Sequence, residues 1–398
     1  VLCELTATTE PGRRLAALAG DLAQQLASNA AQHDRDGTYP HESVRAVKAS
    51  GYYAAPVPKR LGGFGVRSTR DLIVASTRLA QGDASVAIGV NMHLAVLGNI
   101  ARLWRRADAA GDARRAEALA GPLVAVVRDG MVIAAAVSEP GQDITRPGTK
   151  ATQTERGWRI DGRKVFCTGS PSATVLYASV SYVDRDGTER YAYAPVPVDA
   201  PGVVLHDDWD ALGMRGSGSQ SVSFDGVELP AQAIRGGFPA GDANGYMERN
   251  LAAGLFHASA SLGIAEGASR DANALLARRG EPDARARTLV SENAVDLVAA
   301  RACLSRTAEL LDDEADGDSD VPALFAEAQA AKLFVNDAAS RVVDRALILS
   351  GGSGYLSASP LARAYRDVKA AAFMHPLGAN RAYEFLADVS LGREVALH

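Results

Sequence analysis

Cysteine is scarce: Cys3, Cys167 and Cys303 are the only three, far apart and odd in number. They form neither a disulfide framework nor a zinc pattern, so a reducing cytoplasm is the expected compartment. Basic residues are not in excess either. The 42 Lys and Arg face 47 Asp and Glu, giving a net charge of −5 and a pI near 5.9. Nucleic acid is thereby excluded as the main partner, because phosphate binding needs a basic stripe. No run of about 18 apolar residues offers a membrane span. The segment Val1-Leu2-Cys3-Glu4-Leu5 lacks the basic flank of a signal peptide. Internal repeats are absent. The acidic stretch 312–320 has no EF-hand spacing, so it reads as a solvated loop, and no metal is expected.

What remains is ordinary globular composition over 398 residues, 47% hydrophobic and 22% charged, enough for two or three domains. Residues 1–130 read as a helical domain. Leu15, Leu18, Leu22 and Leu26 recur at the spacing of one buried stripe. Helix is expected to stop before Gly121-Pro122, a breaker pair. Ser68-Thr69 offers an N-cap, and the small apolar helix after Asp83 is expected to be buried all round. Residues 131–240 change texture to short β-type runs separated by turns, with a hairpin expected at Asp161-Gly162. Residues 241–398 return to long helical periods, predicted near 245–278, 288–311, 321–349 and 360–391. Leu324, Phe325, Ala328, Leu333 and Phe334 supply a bundle-facing stripe. The fold class is therefore α+β: an all-α domain, an antiparallel β domain, then a four-helix bundle. Without βαβ alternation a Rossmann fold is excluded.

Four segments, in order, carry a likeness to a known family. They are Ala136-Val137-Ser138-Glu139-Pro140-Gly141; Ile160-Asp161-Gly162-Arg163-Lys164-Val165-Phe166-Cys167-Thr168-Gly169; Asp210-Ala211-Leu212-Gly213-Met214-Arg215-Gly216-Ser217; and Gly351-Gly352-Ser353-Gly354-Tyr355 followed by Arg366-Asp367. With them the chain resembles the acyl-CoA dehydrogenase superfamily over nearly its whole length. That resemblance implies a flavin, FAD or else FMN, between the β domain and the bundle. Ser138, helped by the Val137 main chain, would bond the pyrimidine side of the ring. Thr168 would donate toward N5, and Phe166 would pack on the ring. Gly351 and Gly352 would turn between helices and approach the adenine end of a neighbouring subunit's FAD. A homotetramer built as a dimer of dimers is implied as well.

The dehydrogenase pattern is broken at its chemistry. Removal of an α-proton needs a carboxylate, which relatives place nine residues after the Arg of the Arg-Asp pair. That position is His375, and the alternative base position on the first bundle helix is Ala253, followed by Gly254. Residues 359–368 and then His375 are similar to the flavin monooxygenase branch, which takes reduced flavin from a separate flavin reductase and hydroxylates a small-molecule substrate with O₂. A histidine suits proton relay or a bond to substrate, and beside an apolar flavin pocket desolvation should keep it neutral. His93, His257 and Arg215 are candidate substrate contacts, Arg215 equally a loop-shaping residue. Three functions stay open: a reduced-flavin monooxygenase, a dehydrogenase with an unusual base, and a non-catalytic paralogue.

Overall fold

The computed structural model describes residues 4–141, 143–314, 320–395 and 397. The expected loop 312–320 therefore lies largely outside the described residues, as does Cys3. Five helices come first: α1 Glu10–Asp36, α2 His41–Ala49, α3 Thr69–Ala80, α4 Ala84–Ala109 and α5 Ala113–Arg128. Thr9 caps α1, its hydroxyl accepting the Gly12 N–H at 3.1 Å, and Ser68 caps α3 through the Asp71 N–H at 3.2 Å. Leu15, Leu22 and Leu26 are buried, while Leu18 sits at the edge of the stripe. By length and composition α4 could cross a membrane, yet it is mostly buried inside the fold, as a core helix is. Gly121-Pro122 does not stop α5, which continues to Arg128. Proline removes the bond to the carbonyl of Ala118, and Ala118 lies exposed where water can take its place.

Eight strands follow: β1 Ile133–Ala136, β2 Lys150–Thr154, β3 Gly157–Cys167, β4 Val175–Val183, β5 Glu189–Pro197, β6 Val203–Leu205, β7 Gln220–Pro230 and β8 Phe238–Pro239. They form one sheet in the order β6-β7-β3-β2-β4-β5-β8, with β1 beside β4. The sheet is mixed rather than purely antiparallel, because both β1 and β2 pair with β4 in parallel. The hairpin turn lies between β2 and β3, not at Asp161-Gly162. Those two residues sit inside β3 at a bulge against β7, and Asp161 accepts the Gly226 N–H at 2.8 Å.

Among the described residues seven α-helices follow: α6 Ala243–Asn250, α7 Ala253–Arg279, α8 Ala284–Glu314, α9 Val321–Ser350, α10 Gly352–Tyr355, α11 Pro360–Val368 and α12 Ala379–Ser390. Two expected long helices are thus broken, one at Leu251-Ala252 and one across residues 369–378. Both breaks face the site. Phe334 falls off the bundle stripe and is 40% exposed. The first and last helical regions share one hydrophobic cluster, to which α3 and α4 contribute Leu79 and Leu94 and α7 contributes Leu262 and Ile264. The sheet keeps its own core, built on Ile160, Leu176, Val196 and Val222. Of the sequence-nominated residues, Val137, Ser138 and His375 line the cleft between these two cores.

Candidate active site

The sheet supplies the rigid wall. Beyond β1, the Ser138 carbonyl accepts the Val165 N–H at 2.9 Å, which holds residues 137–138 alongside β3. Next in line, Glu139 meets Lys164 Nζ at 2.6 Å, the side chains 6% and 0% exposed. Glu139 also accepts the Thr149 N–H at 2.9 Å and the Gly148 N–H, and Lys164 donates to Ser179 Oγ at 2.8 Å. Burial pushes the Glu139 carboxyl up, but Lys164 and these donors outweigh it and hold the pKa below the usual value. Burial pulls Lys164 down, and Glu139 opposes that. One turn of chain is thereby pinned at the cleft.

Two features mark the end of β3. Phe166 adopts φ 56, an uncommon backbone for a bulky side chain, and is 60% exposed with its ring edge-on to Trp209 at 5.9 Å. Thr168 Oγ1 lies 2.9 Å from Ser219 Oγ, which lies 2.8 Å from Ser217 Oγ, a chain of three hydroxyls leading inward.

The bundle supplies His375. Its Nε2 is 3.0 Å from Asn250 Oδ1, and Asn250 Nδ2 donates to the Tyr246 carbonyl at 2.9 Å. The amide orientation thus fixed makes Nε2 the protonated nitrogen and leaves Nδ1 as the acceptor. Tyr246 Oη donates to the Pro376 carbonyl at 2.9 Å, and Lys332 Nζ donates to the carbonyls of Met374, at 3.0 Å, and Leu377. Burial first, then the Lys332 charge, takes the His375 pKa down to about 3. The cavity edge of the ring stays partly exposed, and neutrality near pH 7 needs only the direction of that shift.

Three cavities run together along the cleft. One of about 260 Å³ is lined by Val137, Ser138, His375, Gly378 and Arg381. Val137 and His375 form the wall it shares with a cavity of about 50 Å³, which also meets Tyr177, Tyr193 and Arg249. That space shares Ala95, Asn99, Arg249 and Ala253 with a third, of about 300 Å³, opening past Arg67 and Asp312. Arg249 stacks over Tyr193 at 4.1 Å and donates to Tyr177 Oη at 3.0 Å. Ala253 is on the wall, so neither base position of the dehydrogenase pattern holds a carboxylate. The acids that do line the first cavity are engaged: Glu139 by Lys164, and Asp143 by the Thr145 N–H and hydroxyl.

The remaining nominated residues are placed as follows. His93 is fully buried, with Nε2 3.0 Å from the Tyr53 carbonyl and Nδ1 accepting the Ile133 N–H at 3.0 Å. Both nitrogens bond to backbone, and burial lowers its pKa to about 4, so His93 latches α4 to β1. Arg215 shapes its loop: Nε donates to the Asp34 carbonyl at 2.7 Å and Nη1 to Asp210 and to the Ala211 carbonyl, both at 3.2 Å. His257 is buried behind His375, ring centroids 6.5 Å apart, and lines none of the three cavities. Gly351, at φ 64, ends α9 where Arg279 binds the Leu349 carbonyl at 3.1 Å; it and Gly352 are exposed, away from His375. A Cβ at Gly352 would meet nothing, whereas one at Gly354 would fall 1.7 Å from Ser350 Oγ.

Sequence reasoning missed Lys332, Asn250, Tyr246 and the Glu139–Lys164 pair. A signal existed for Lys332: it stands seven residues after Phe325 and four after Ala328, on the buried stripe of α9.

Known proteins are similar to this chain over nearly its whole length. Models of the acyl-CoA dehydrogenase N-terminal, middle and C-terminal domains match residues 11–104, 134–227 and 255–376. The amino sugar nitrososynthase DnmZ of Streptomyces peucetius is 33% identical, covering 98% of this chain and 96% of that protein. L-evernosamine nitrososynthase of a Micromonospora strain is 31% identical over 98% of this chain and 93% of its own. The structure of KijD3 in complex with FMN and dTDP-3-amino-2,3,6-trideoxy-4-keto-3-methyl-D-glucose superposes with a TM-score of 0.91 at 31% identity. It covers 99% of this chain and 97% of KijD3.

Proposed function

This chain, a flavin-dependent oxidoreductase, belongs to the acyl-CoA dehydrogenase family, and we propose that it oxidises the amino group of a nucleotide-linked amino sugar with O₂ and reduced flavin. The observation that carries this reading is His375 at the meeting of two cavities, buried so that its ring is held neutral, with the described acids of the first cavity, Glu139 and Asp143, already engaged. Abstraction of an α-proton needs a matched base, and a histidine this weakly basic is a poor one. Binding an amine asks less. His375 Nδ1 can accept one N–H of the substrate while the nitrogen lone pair stays available for oxidation. Desolvation favours the free amine too, since removal from water would lower the pKa of a substrate ammonium held in this cleft.

The residues present fit a flavin. Phe166, exposed in a strained backbone, is a ring that a planar aromatic group would cover. Ser138 and Val137 would hold the ring's polar edge, and Thr168, backed by Ser219 and Ser217, would face N5. Reduced flavin, when bound, supplies two electrons so that one atom of O₂ enters the N–H bond and the other leaves as water. Two such rounds convert the amine through the hydroxylamine to the nitroso compound, with loss of a further water.

Either FMN or FAD suits this reading, delivered by a separate flavin reductase in the cytoplasm. Ile348, Tyr355 and Leu356, exposed by 61%, 82% and 64% beside the Gly351 turn, favour a homotetramer in which a second copy covers them. The test supplies the protein with FMN or FAD, an NAD(P)H-dependent flavin reductase, O₂ and a deoxythymidine-diphosphate amino sugar. Mass spectrometry should show a sugar that has gained one oxygen and lost two hydrogens. An unchanged sugar beside a flavin reduced directly by an acyl-CoA would contradict it.

A further inference from the structure

Behind the cavity wall, α7 and α9 press a second set of polar groups together. Gly254 of α7 lies against Gln329 and Lys332 of α9: an added Cβ would be 3.3 Å from Gln329 Nε2, 3.4 Å from Lys332 Cδ and 3.6 Å from Pro376 Cδ. The missing side chain lets α9 and the 374–377 segment close on α7 here. One turn along, His257 is 3% exposed, and neither its nitrogens nor the Gln329 amide has a partner among the described residues. Lys332 is 1% exposed, and its bonds go to the carbonyls of Met374 and Leu377, one on each side of His375.

We propose that Lys332 is a positioning residue for the chemistry at His375, its terminal amine clamping the backbone on both sides of that histidine from behind the cavity wall. The role of the clamp rests on the amine-oxidation reading, since it is His375 that would hold the amine. Two carbonyls need two hydrogens, which both the neutral amine and the ammonium provide, so the clamp persists in either state. The titratable groups that feel its charge are His257 from α7 and His375 itself, and among the described residues no carboxylate bonds to it. Burial takes Lys332 down to about 7; burial first, with the Lys332 charge as a smaller contribution, keeps His375 and His257 neutral. Tyr246 fastens the same segment through the Pro376 carbonyl, so losing Lys332 should loosen His375 without releasing the chain.

The experiment uses the flavin-loaded full chain with ¹⁵N-labelled histidine and lysine. In the wild type the Lys332 amine should titrate near pH 7 and His375 should stay neutral from pH 5 to 8, protonated on Nε2. Lys332→Met should raise the His375 pKa by about one unit or more and lower kcat for amine oxidation about 10- to 100-fold, with KM changed less than about threefold. Lys332→Gln keeps two donor hydrogens on a side chain one atom shorter and should recover part of kcat. A Lys332 amine that titrates above pH 10, or a His375 titration and kcat unchanged in both variants, would overturn the clamp. A variant that fails to fold leaves the wild-type titrations to decide. Should the wild type oxidise no amino sugar while both titrations come out as expected, the clamp stands and the substrate reading falls.

Discussion

Two lysines are buried on opposite sides of the cleft, and they do different things. On the sheet side, Lys164 is matched by Glu139 and by the hydroxyl of Ser179, so its charge is paired and its position fixed. On the bundle side, Lys332 has backbone carbonyls and, among the described residues, no acid, and burial takes its pKa to about 7. A paired charge in a low-dielectric site is a fastening that neutral pH does not disturb. An unpaired one sits near its titration point and couples to whatever ionises beside it. The sheet wall is therefore set by electrostatics that stay constant around pH 7, while on the facing wall burial keeps the His375 ring neutral. A neutral ring is what the proposed binding of a free amine requires.

The largest expected effect breaks the sheet side. Lys164→Met leaves Glu139 buried without its counter-charge and should lower stability by about 3–5 kcal/mol, read as a fall in the urea midpoint. Next comes the site itself. His375→Ala should slow amine oxidation by about 10²–10⁴-fold while flavin affinity, measured by fluorescence quenching, changes little.

A smaller effect sharpens the contrast through pH. Lys332 ionises at 10.5 in an unfolded chain and about 7 here, so between those values the folded protein holds fewer protons. Its contribution to stability therefore rises with pH across that window, and below pH 7 the full cost of the buried charge is present. Subtracting Lys332→Met from wild type isolates this slope from that of Lys164. Glu139 acts at the other end. Its pKa is held low, so the pair's contribution is lost only as pH falls through that lowered value. The smallest effect is at Phe166. Because that ring is mostly exposed, Phe166→Ala should change stability by less than about 0.5 kcal/mol. Flavin affinity, by contrast, should drop about two- to tenfold for the loss of one stacked ring.

Much of this architecture can be read from residue pattern, and the failures share a cause. The order of helices, sheet and helices follows from apolar spacing and turn residues, which are local signals. Asp161-Gly162 reads as a hairpin because its chemistry suits a turn; its side chain and bulge are instead used by β7, a partner more than sixty residues away. Pro122 reads as a stop because the exposure of Ala118 is not visible in the sequence. His93 reads as a cavity residue, yet two backbone groups from distant segments occupy its nitrogens. At the site, the position of His375 is legible from its distance to Arg366-Asp367. What holds it is not, because Asn250, Tyr246 and Lys332 come from helices whose facing residues depend on how α6 and α9 pack.

The most direct test of the account is a single comparison of substrates on the wild-type protein. Reduced flavin from a reductase, O₂ and a deoxythymidine-diphosphate amino sugar should yield oxidised amine, while a short-chain acyl-CoA added without oxygen should leave bound flavin oxidised. Bleaching of the flavin by the acyl-CoA, with the amino sugar untouched, would contradict it.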